Sequence, residues 1–396
     1  MAGVQCFAIL TSDPRGLCWA GGVLDGKIVL NITTPLPVRG IRMAFLGEGR
    51  VEWTDGVKVK QKSKEAKTSK TAWKKVRKLR ETEIYSRTTT ILFGADPEST
   101  FNYILPAGNH IMPFELPVPS DLPSSFEGTH GYVRYWLECI LDVAGNAEQI
   151  TKKAFTVISK CNLNTDPLAD KEIKRQQKVS VCCACCTPGY YDIRYCVARR
   201  GYVPGEKILV DIRARNYTNN IVHLVLRFKM VTSYHAQGKC LRVKKTLQEG
   251  EKILETSETL KWNPEIPVPP LPPSGLGGSR VIDIGYWLEV DMYSKAFFSD
   301  SLHFNDEIKI GTLPLKHVME TTTVQHGRSS GVGADHLLPV GFPVPESRSL
   351  PVASPLRKNI FNWIPSKVES PRPPNGYQVY NGQIKKHSSP SNSSLW

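Results

Sequence analysis

Tyr132-Val-Arg-Tyr135-Trp-Leu-Glu138-Cys-Ile-Leu141-Asp-Val143 is the stretch that decides the fold. Val133, Tyr135, Leu137, Cys139, Leu141 and Val143 fall on every second residue, with Arg134 and Glu138 between them. A period of two belongs to a strand that turns one face to a core and the other to water. The same pattern returns far downstream. Ile284, Tyr286, Leu288, Val290 and Met292 form an apolar face opposite Asp283, Glu289 and Asp291, and the tetrad Tyr-Trp-Leu-Glu at 135–138 recurs at 286–289, a spacing of 151 residues.

The segments around the tetrad keep that spacing. Pro113-Phe-Glu-Leu-Pro117-Val-Pro119 precedes the first copy and Asn263-Pro-Glu-Ile-Pro267-Val-Pro269 the second. Alternate prolines lack the N–H that an inner ladder needs, so both stretches are expected at a sheet edge. Gly22-Val-Leu-Asp-Gly26-Lys-Ile-Val-Leu30 resembles Gly201-Tyr-Val-Pro-Gly205-Glu-Lys-Ile-Leu-Val210, a turn followed by a strand, at a wider spacing of 179 residues because the first half carries a basic insertion. Three ordered matches imply a duplicated unit. The fold expected is all-β: two tandem immunoglobulin-like antiparallel β-sandwich domains, at 1–161 and 179–312. Polar residues 162–178 read as the interdomain linker, and the alternation stops after Thr312, so the Ser/Pro-rich stretch 313–396 is expected to be a disordered tail.

A chain of 396 residues is long enough for two or three domains, each with its own core. Its 29 prolines and 30 glycines argue against an all-α protein. Of a formal charge of +14, most is local: between Lys58 and Arg80 stand eleven basic residues (Lys58, Lys60, Lys62, Lys64, Lys67, Lys70, Lys74, Lys75, Arg77, Lys78, Arg80) and one acid, Glu65. The tail adds nine basic residues against four acidic ones, so the body outside these two regions is close to neutral. That is not the overall basic surface of a dedicated nucleic-acid binder. From Lys58 to Lys64 lysine occupies every second position, as on one face of a strand. Trp73, Val76 and Leu79 recur every third among lysines, which predicts a short amphipathic turn on an anionic surface. The stretch is compatible with binding anionic lipid or phosphate, with a solvated loop whose lysines deter edge aggregation, and with nucleic acid, for which the aromatic interleaving is thin.

No P-loop, His-Glu-x-x-His, Gly-x-Ser-x-Gly or strand-to-helix Gly-x-Gly-x-x-Gly occurs, and the nine histidines are scattered. No catalysis and no cofactor are expected. Glu138 and Glu289 recur in both halves, which points to a role in the fold, and His223 and His235 on or beside the Ile221–Tyr234 strand read as ordinary strand residues. Cys182, Cys183, Cys185 and Cys186 contain two overlapping Cys-x-x-Cys spacings. Buried thiols, reversible palmitoylation, a redox pair and a metal site all remain open for them, although zinc would need a second pair and no thioredoxin-like context surrounds the cluster. The N-terminus carries no secretory signal pattern and no apolar run has bilayer-spanning length, so a cytosolic protein with reduced thiols is expected.

Taken together, Pro113 to Glu138 with Phe126-Glu-Gly128 and Gly131-Tyr-Val133, Lys178-Val-Ser-Val181 with Cys186, Arg200-Gly-Tyr-Val-Pro-Gly205-Glu, and Ile310-Gly-Thr-Leu-Pro-Leu315 resemble the α-arrestins, the arrestin-domain-containing group that includes the thioredoxin-interacting protein. The resemblance covers roughly residues 20–315. It implies an arrestin N-like and an arrestin C-like lobe, and a non-enzymatic cytosolic adaptor whose partners are cytoplasmic segments of membrane receptors or transporters, anionic phospholipids and HECT-type ubiquitin ligases. It further implies peripheral association at the plasma membrane and endosomes and a role in endocytosis, sorting or ubiquitination. The Pro-Pro-x-Tyr of α-arrestin tails, which lies as polyproline II in a WW-domain groove, has its nearest match in Pro373-Pro374-Asn-Gly-Tyr377. That match has one residue too many, which moves Tyr377 out of register by about 3 Å of polyproline II rise. The remaining readings are a redox- or metal-regulated interaction protein working through Cys182–Cys186, and nucleic-acid binding through residues 58–80.

Overall fold

The structure is a computed structural model. It describes residues 3–61, 70–94, 102–181, 189–294, 301–318, 377–380 and 383–386, with backbone alone for 57–61, 70–76, 181 and the last two segments. The first lobe is built from β1 (Val4–Thr11), β2 (Leu17–Trp19), β3 (Val23–Ile32), β4 (Leu36–Gln61), β5 (Lys70–Gly94), β6 (Tyr103–Leu105), β7 (Gly108–Pro117), β8 (Phe126–Gly128), β9 (Gly131–Val143) and β10 (Gln149–Ile158). The second consists of β11 (Ile173–Val181), β12 (Gly189–Val197), β13 (Gly201–Tyr202), β14 (Lys207–Tyr217), β15 (Val222–Ala236), β16 (Lys239–Leu254), β17 (Thr259–Trp262), β18 (Glu265–Pro267), β19 (Ile282–Ser294) and β20 (Leu302–Ile310). Each lobe is a two-sheet sandwich. The first stacks β1-β3-β7 on β2-β10-β9-β4-β5, and the second β11-β12-β14-β17 on β13-β20-β19-β15-β16.

The alternation that marked β9 and β19 is the core pattern itself. Val133, Tyr135, Leu137, Cys139, Leu141 and Val143 are buried, as are Ile284, Tyr286, Leu288, Val290 and Met292. Tyrosine in the middle of an apolar face needs a partner for its hydroxyl. Both tetrad tyrosines find the same kind: Tyr135 Oη donates to the Pro123 carbonyl at 2.7 Å and Tyr286 Oη to the Pro272 carbonyl at 2.7 Å. Burial pushes both phenols well above their usual range. The tetrad carboxylates serve the fold on the opposite face, Glu138 pairing with Lys152 at 2.7 Å and Glu289 with Lys229. The proline-rich stretches lie where missing N–H groups are harmless, β7 at the free edge of its sheet and β18 hung on β14 beside β17.

Three sequence expectations change. Pairing is not wholly antiparallel, because β2 runs parallel to β10 and β13 parallel to β20. A chain that enters beside the strand it will finish on closes each sheet in that way, and the repetition of this detail marks the duplication. The polar stretch 162–178 is not linker throughout. From Ile173 it is β11, an edge strand in which, among the described side chains, Ile173 alone is fully buried, so its polar composition reflects exposure on both sides. The ordered body also continues past Thr312. Thr312 Oγ1 accepts the Cys161 N–H at 2.7 Å, the Leu163 N–H reaches the Leu313 carbonyl at 3.2 Å, and Leu163, Ala169, Val203 and Leu315 form a small core of their own. The end of the second lobe thus clasps the chain as it leaves the first. Most of the tail lies outside the described residues, apart from a hairpin of β21 (Tyr377–Tyr380) and β22 (Gln383–Lys386).

Candidate functional site: a basic ribbon at the lobe junction

Strands β4 and β5 stay paired from Gly40 opposite Gly94 to Gln61 opposite Lys70. On its other side β4 is paired with β9 only as far as Val51 opposite Gly131. Beyond Val51 the two strands therefore run on as a two-stranded ribbon of about ten residues a side, roughly 33 Å at the rise of a strand. This ribbon carries the basic run. Lys58, Lys60, Lys70, Lys74 and Lys75 lie on its two strands, with Lys58 opposite Trp73 and Lys60 opposite Thr71. Lys62, Lys64 and Lys67 lie between the strands, outside the described residues. Trp73 to Leu79 belong to β5 and are extended, so the amphipathic turn expected there is not formed. Cross-strand pairing with Trp53 fixes the conformation at Leu79, which is buried.

An isolated two-stranded ribbon is marginal in water, so the support of its base matters. That support comes from the other lobe. Between β15 and β16 the chain turns through Gln237 (φ 51°) and Gly238 (φ 73°), a two-residue turn with both residues left-handed, which suits the twist of a hairpin. This tip meets the ribbon. Arg77 Nη2 donates to Gln237 Oε1 at 2.8 Å, Gln237 Nε2 to the Arg80 carbonyl at 3.4 Å, and Lys239 pairs with Asp55. Lys78, next along, holds Glu52 across the ribbon at 2.6 Å, and that contact keeps the Glu52 carboxyl below its ordinary range.

Further along β5 the junction becomes drier. Glu83, with only 9% of its side chain exposed, accepts the Arg280 guanidinium at 2.6 Å and the Arg280 backbone N–H at 2.8 Å. Burial raises the affinity of this carboxyl for a proton, but the two Arg280 contacts and the Tyr85 hydroxyl outweigh it, and the group sits below its usual range. Tyr85 Oη gives its proton to Glu83 and lies 2.8 Å from Ser279 Oγ, whose hydroxyl can donate to it, and the His130 ring stands edge-on to Tyr234 with centroids 5.6 Å apart. At Gly128 the lobes come so close that a Cβ would lie 2.2 Å from Tyr234 Oη. Glu81, Glu83, His235, Gln237, Lys239 and Arg280 border an open groove of about 490 Å³ here.

Of the basic residues singled out in the sequence, Arg77, Lys78 and Arg80 are seen at this junction, and the ribbon backbone carries the others named above. Cys182, Cys183, Cys185 and Cys186 lie outside the described residues, as do Pro373 and Pro374. Tyr377 opens the β21–β22 hairpin opposite Lys386, a paired strand in place of a free polyproline II segment. His223 is nearly buried, stacked on Tyr293 at 5.4 Å and bonded to Glu251 at 2.7 Å, an ordinary satisfied histidine. Sequence reading missed Gln237, Glu83 and Arg280. Gln237-Gly238 between alternating stretches was a legible turn, but nothing in it says which strand of the other lobe it touches.

Comparison with known proteins agrees with the duplicated sandwich. Residues 7–164 match the family described as Arrestin (or S-antigen), N-terminal domain, and residues 187–315 match Arrestin (or S-antigen), C-terminal domain. The chain is 28% identical over 346 residues to arrestin domain-containing protein 17 of Caenorhabditis elegans, covering 84% of this chain and 76% of the relative. It is 24% identical to human arrestin domain-containing protein 4 (78% and 72% covered) and 26% identical to human thioredoxin-interacting protein (63% and 61%). With both lobes matched in order along most of its length, and with relatives of this kind, the chain belongs to the arrestin family, as an α-arrestin.

Proposed function

We propose that this α-arrestin is a non-enzymatic cytosolic adaptor that binds cytoplasmic segments of membrane receptors or transporters and promotes their endocytosis, sorting or ubiquitination. The basic ribbon is its contact with the acidic leaflet or with phosphate groups there. The observation that carries this reading is the ribbon itself: of the eleven basic residues that stand against one acid between Lys58 and Arg80, Lys58, Lys60, Lys70, Lys74, Lys75, Arg77, Lys78 and Arg80 lie on the paired strands of a hairpin that outruns its sheet and is braced at its base by the second lobe. Near an anionic leaflet each basic residue contributes on the order of 1 kcal/mol, enough in sum for peripheral attachment without any membrane-crossing element. Among the described residues no helix is long and apolar enough to cross a bilayer. Recruitment of a HECT-type ligase through Pro373, Pro374 and Tyr377 belongs to the same proposal, and requires the β21–β22 hairpin to open so that the tyrosine enters a WW groove.

The test is co-sedimentation of the full chain with vesicles containing phosphatidylserine and phosphoinositide, against neutral vesicles and a random RNA. Binding to the anionic vesicles that falls at least tenfold when Lys58, Lys60, Lys74 and Lys75 are changed to glutamine is expected. Preference for RNA, or vesicle binding indifferent to the four changes, refutes the membrane role of the ribbon.

A further inference from the structure

Strand β5 is the outermost strand of its sheet, and its outer side is used only in part. As far as Glu83 the second lobe covers it, with Gln237 Nε2 on the Arg80 carbonyl and Arg280 on Glu83. From Ile84 to Gly94 no described strand pairs with that side. An open edge presents unpaired N–H and C=O groups to any other strand, and folded proteins guard theirs with charge or proline. The duplicated lobe shows the guarded version. Strand β16 is outermost at the same place in the second lobe's sheet, and seven of its sixteen residues are charged. Ile84-Tyr-Ser-Arg-Thr-Thr-Thr-Ile-Leu-Phe-Gly94 has one charge, Arg87, and no proline, and seven of its residues are β-branched or aromatic, the types that favour a strand. The ladder with β4 shifts register at Tyr85 and at Leu92, and from Ser86 to Ile91 it is regular. Arg87, Thr88, Thr89, Thr90 and Ile91 are all exposed.

We propose that this open edge pairs with the same edge of a second copy of the chain, antiparallel, about a two-fold axis at Thr89. Such an interface must complement itself, residue i meeting j wherever j meets i. The register centred on Thr89 does so. Thr89 meets its own copy, Thr88 meets Thr90 and Arg87 meets Ile91; threonine pairs across strands are favourable, and no like charges stand opposite each other. The faces agree as well. Thr88 and Thr90 lie opposite the core residues Phe45 and Met43 of β4, on the inward face, whereas Arg87, Thr89 and Ile91 lie opposite Leu46, Ala44 and Arg42, on the outward one. A two-fold perpendicular to the sheet brings inward residues against inward ones and joins the two sheets edge to edge. Charge points to the same occupant. A lysine-rich strand would meet Arg87, and an acidic one would leave all but one of its carboxylates unmatched. The copy instead brings Ile91 to the apolar stem of each Arg87. The pairing uses none of the ribbon's cations, so it stands whatever the ribbon binds.

The test is sedimentation velocity of the full chain from about 1 to 200 μM, since a single ladder between copies is a small interface that exchanges at micromolar strength. Wild type is expected to pass from monomer to dimer over that range and to go no further, because the two-fold uses up the edge. T89K and T89E each set like charges against one another at the axis, and each is expected to stay monomeric with an unchanged melting temperature, Thr89 being exposed. An equimolar mixture of the two is expected to recover the dimer, which damage to the fold by either change would not allow. T246K, at an exposed position of β16, is expected to dimerise as wild type. A wild type that stays monomeric across the range, association that continues past the dimer, a T89K that still dimerises, or a mixture that does not recover overturns the proposal. So does loss of the dimer in T246K, which would place the contact on the other lobe.

Discussion

Tyr135 and Tyr286 illustrate how a single residue type does one job twice. Each stands in the middle of a strand's apolar face, each is nearly free of solvent, and each spends its hydroxyl on a proline carbonyl in a loop upstream of its own strand. Removing either hydroxyl leaves a buried carbonyl without its donor, which costs about 1–3 kcal/mol. Tyr135→Phe and Tyr286→Phe are expected to lower stability to denaturant by similar amounts; a loss in one lobe alone would break the equivalence of the two tyrosines. Asp306 shows the same economy with charge. Although burial opposes its ionisation, Arg175 at 2.5 Å, the Tyr195 hydroxyl and Arg200 hold the carboxyl below its usual range, and so tie β11 to the sheet behind it.

At the scale of elements, the ribbon and the β15–β16 tip explain one another. Ten residues of β4 and their partners in β5 have no third strand to pair with, and the tip supplies contacts where the ribbon leaves its sheet. Gln237 reaches both Arg77 and Arg80 only because the turn places it there with positive φ, and Gly238 follows it with φ 73°. A β-branched residue at that second position is strained by about 1–2 kcal/mol. Gly238→Val is therefore expected to loosen the turn and to speed amide hydrogen exchange in the ribbon near Arg80, without unfolding β9 or β19. Unchanged exchange in the ribbon would show that the tip does not brace it.

For the whole molecule, the junction between the lobes is polar and centred on one nearly buried carboxylate. A Glu83 held below its ordinary value of 4.5 contributes its full stabilisation above that pH, and the contribution is lost as pH falls through the lower value it has in the folded chain. The lobes are therefore expected to loosen in acid before either core melts. Glu83→Gln, by removing the charge that Arg280 meets, is expected to cost up to about 1 kcal/mol at neutral pH, because the guanidinium itself faces solvent, and to flatten the dependence below pH 4.5. A distance measured between labels on the two lobes across a pH titration checks this; a variant that keeps the wild-type acid transition would assign the effect to another group.

The division between what was legible and what was not follows from the range of the interactions. The strands, their buried faces, the duplication and the edge position of the proline stretches were written in the sequence, because a period of two and the missing proline N–H are local and act wherever the chain finds a sheet. The basic run was visible as composition, but the every-third spacing of Trp73, Val76 and Leu79 misled, since pairing with β4 overrides a weak local pattern. Residues 173–178 read as linker for a related reason: an edge strand exposed on both sides has no apolar face to announce it. Sequence by itself determined two β-sandwich lobes, their family and a concentrated positive charge. Only the tertiary structure decided that this charge rides on a ribbon braced by Gln237, that Glu83 meets Arg280, and that the edge of β5 beyond Glu83 faces no other described strand, because contacts between residues far apart in the chain depend on register and lobe packing, which no local pattern encodes.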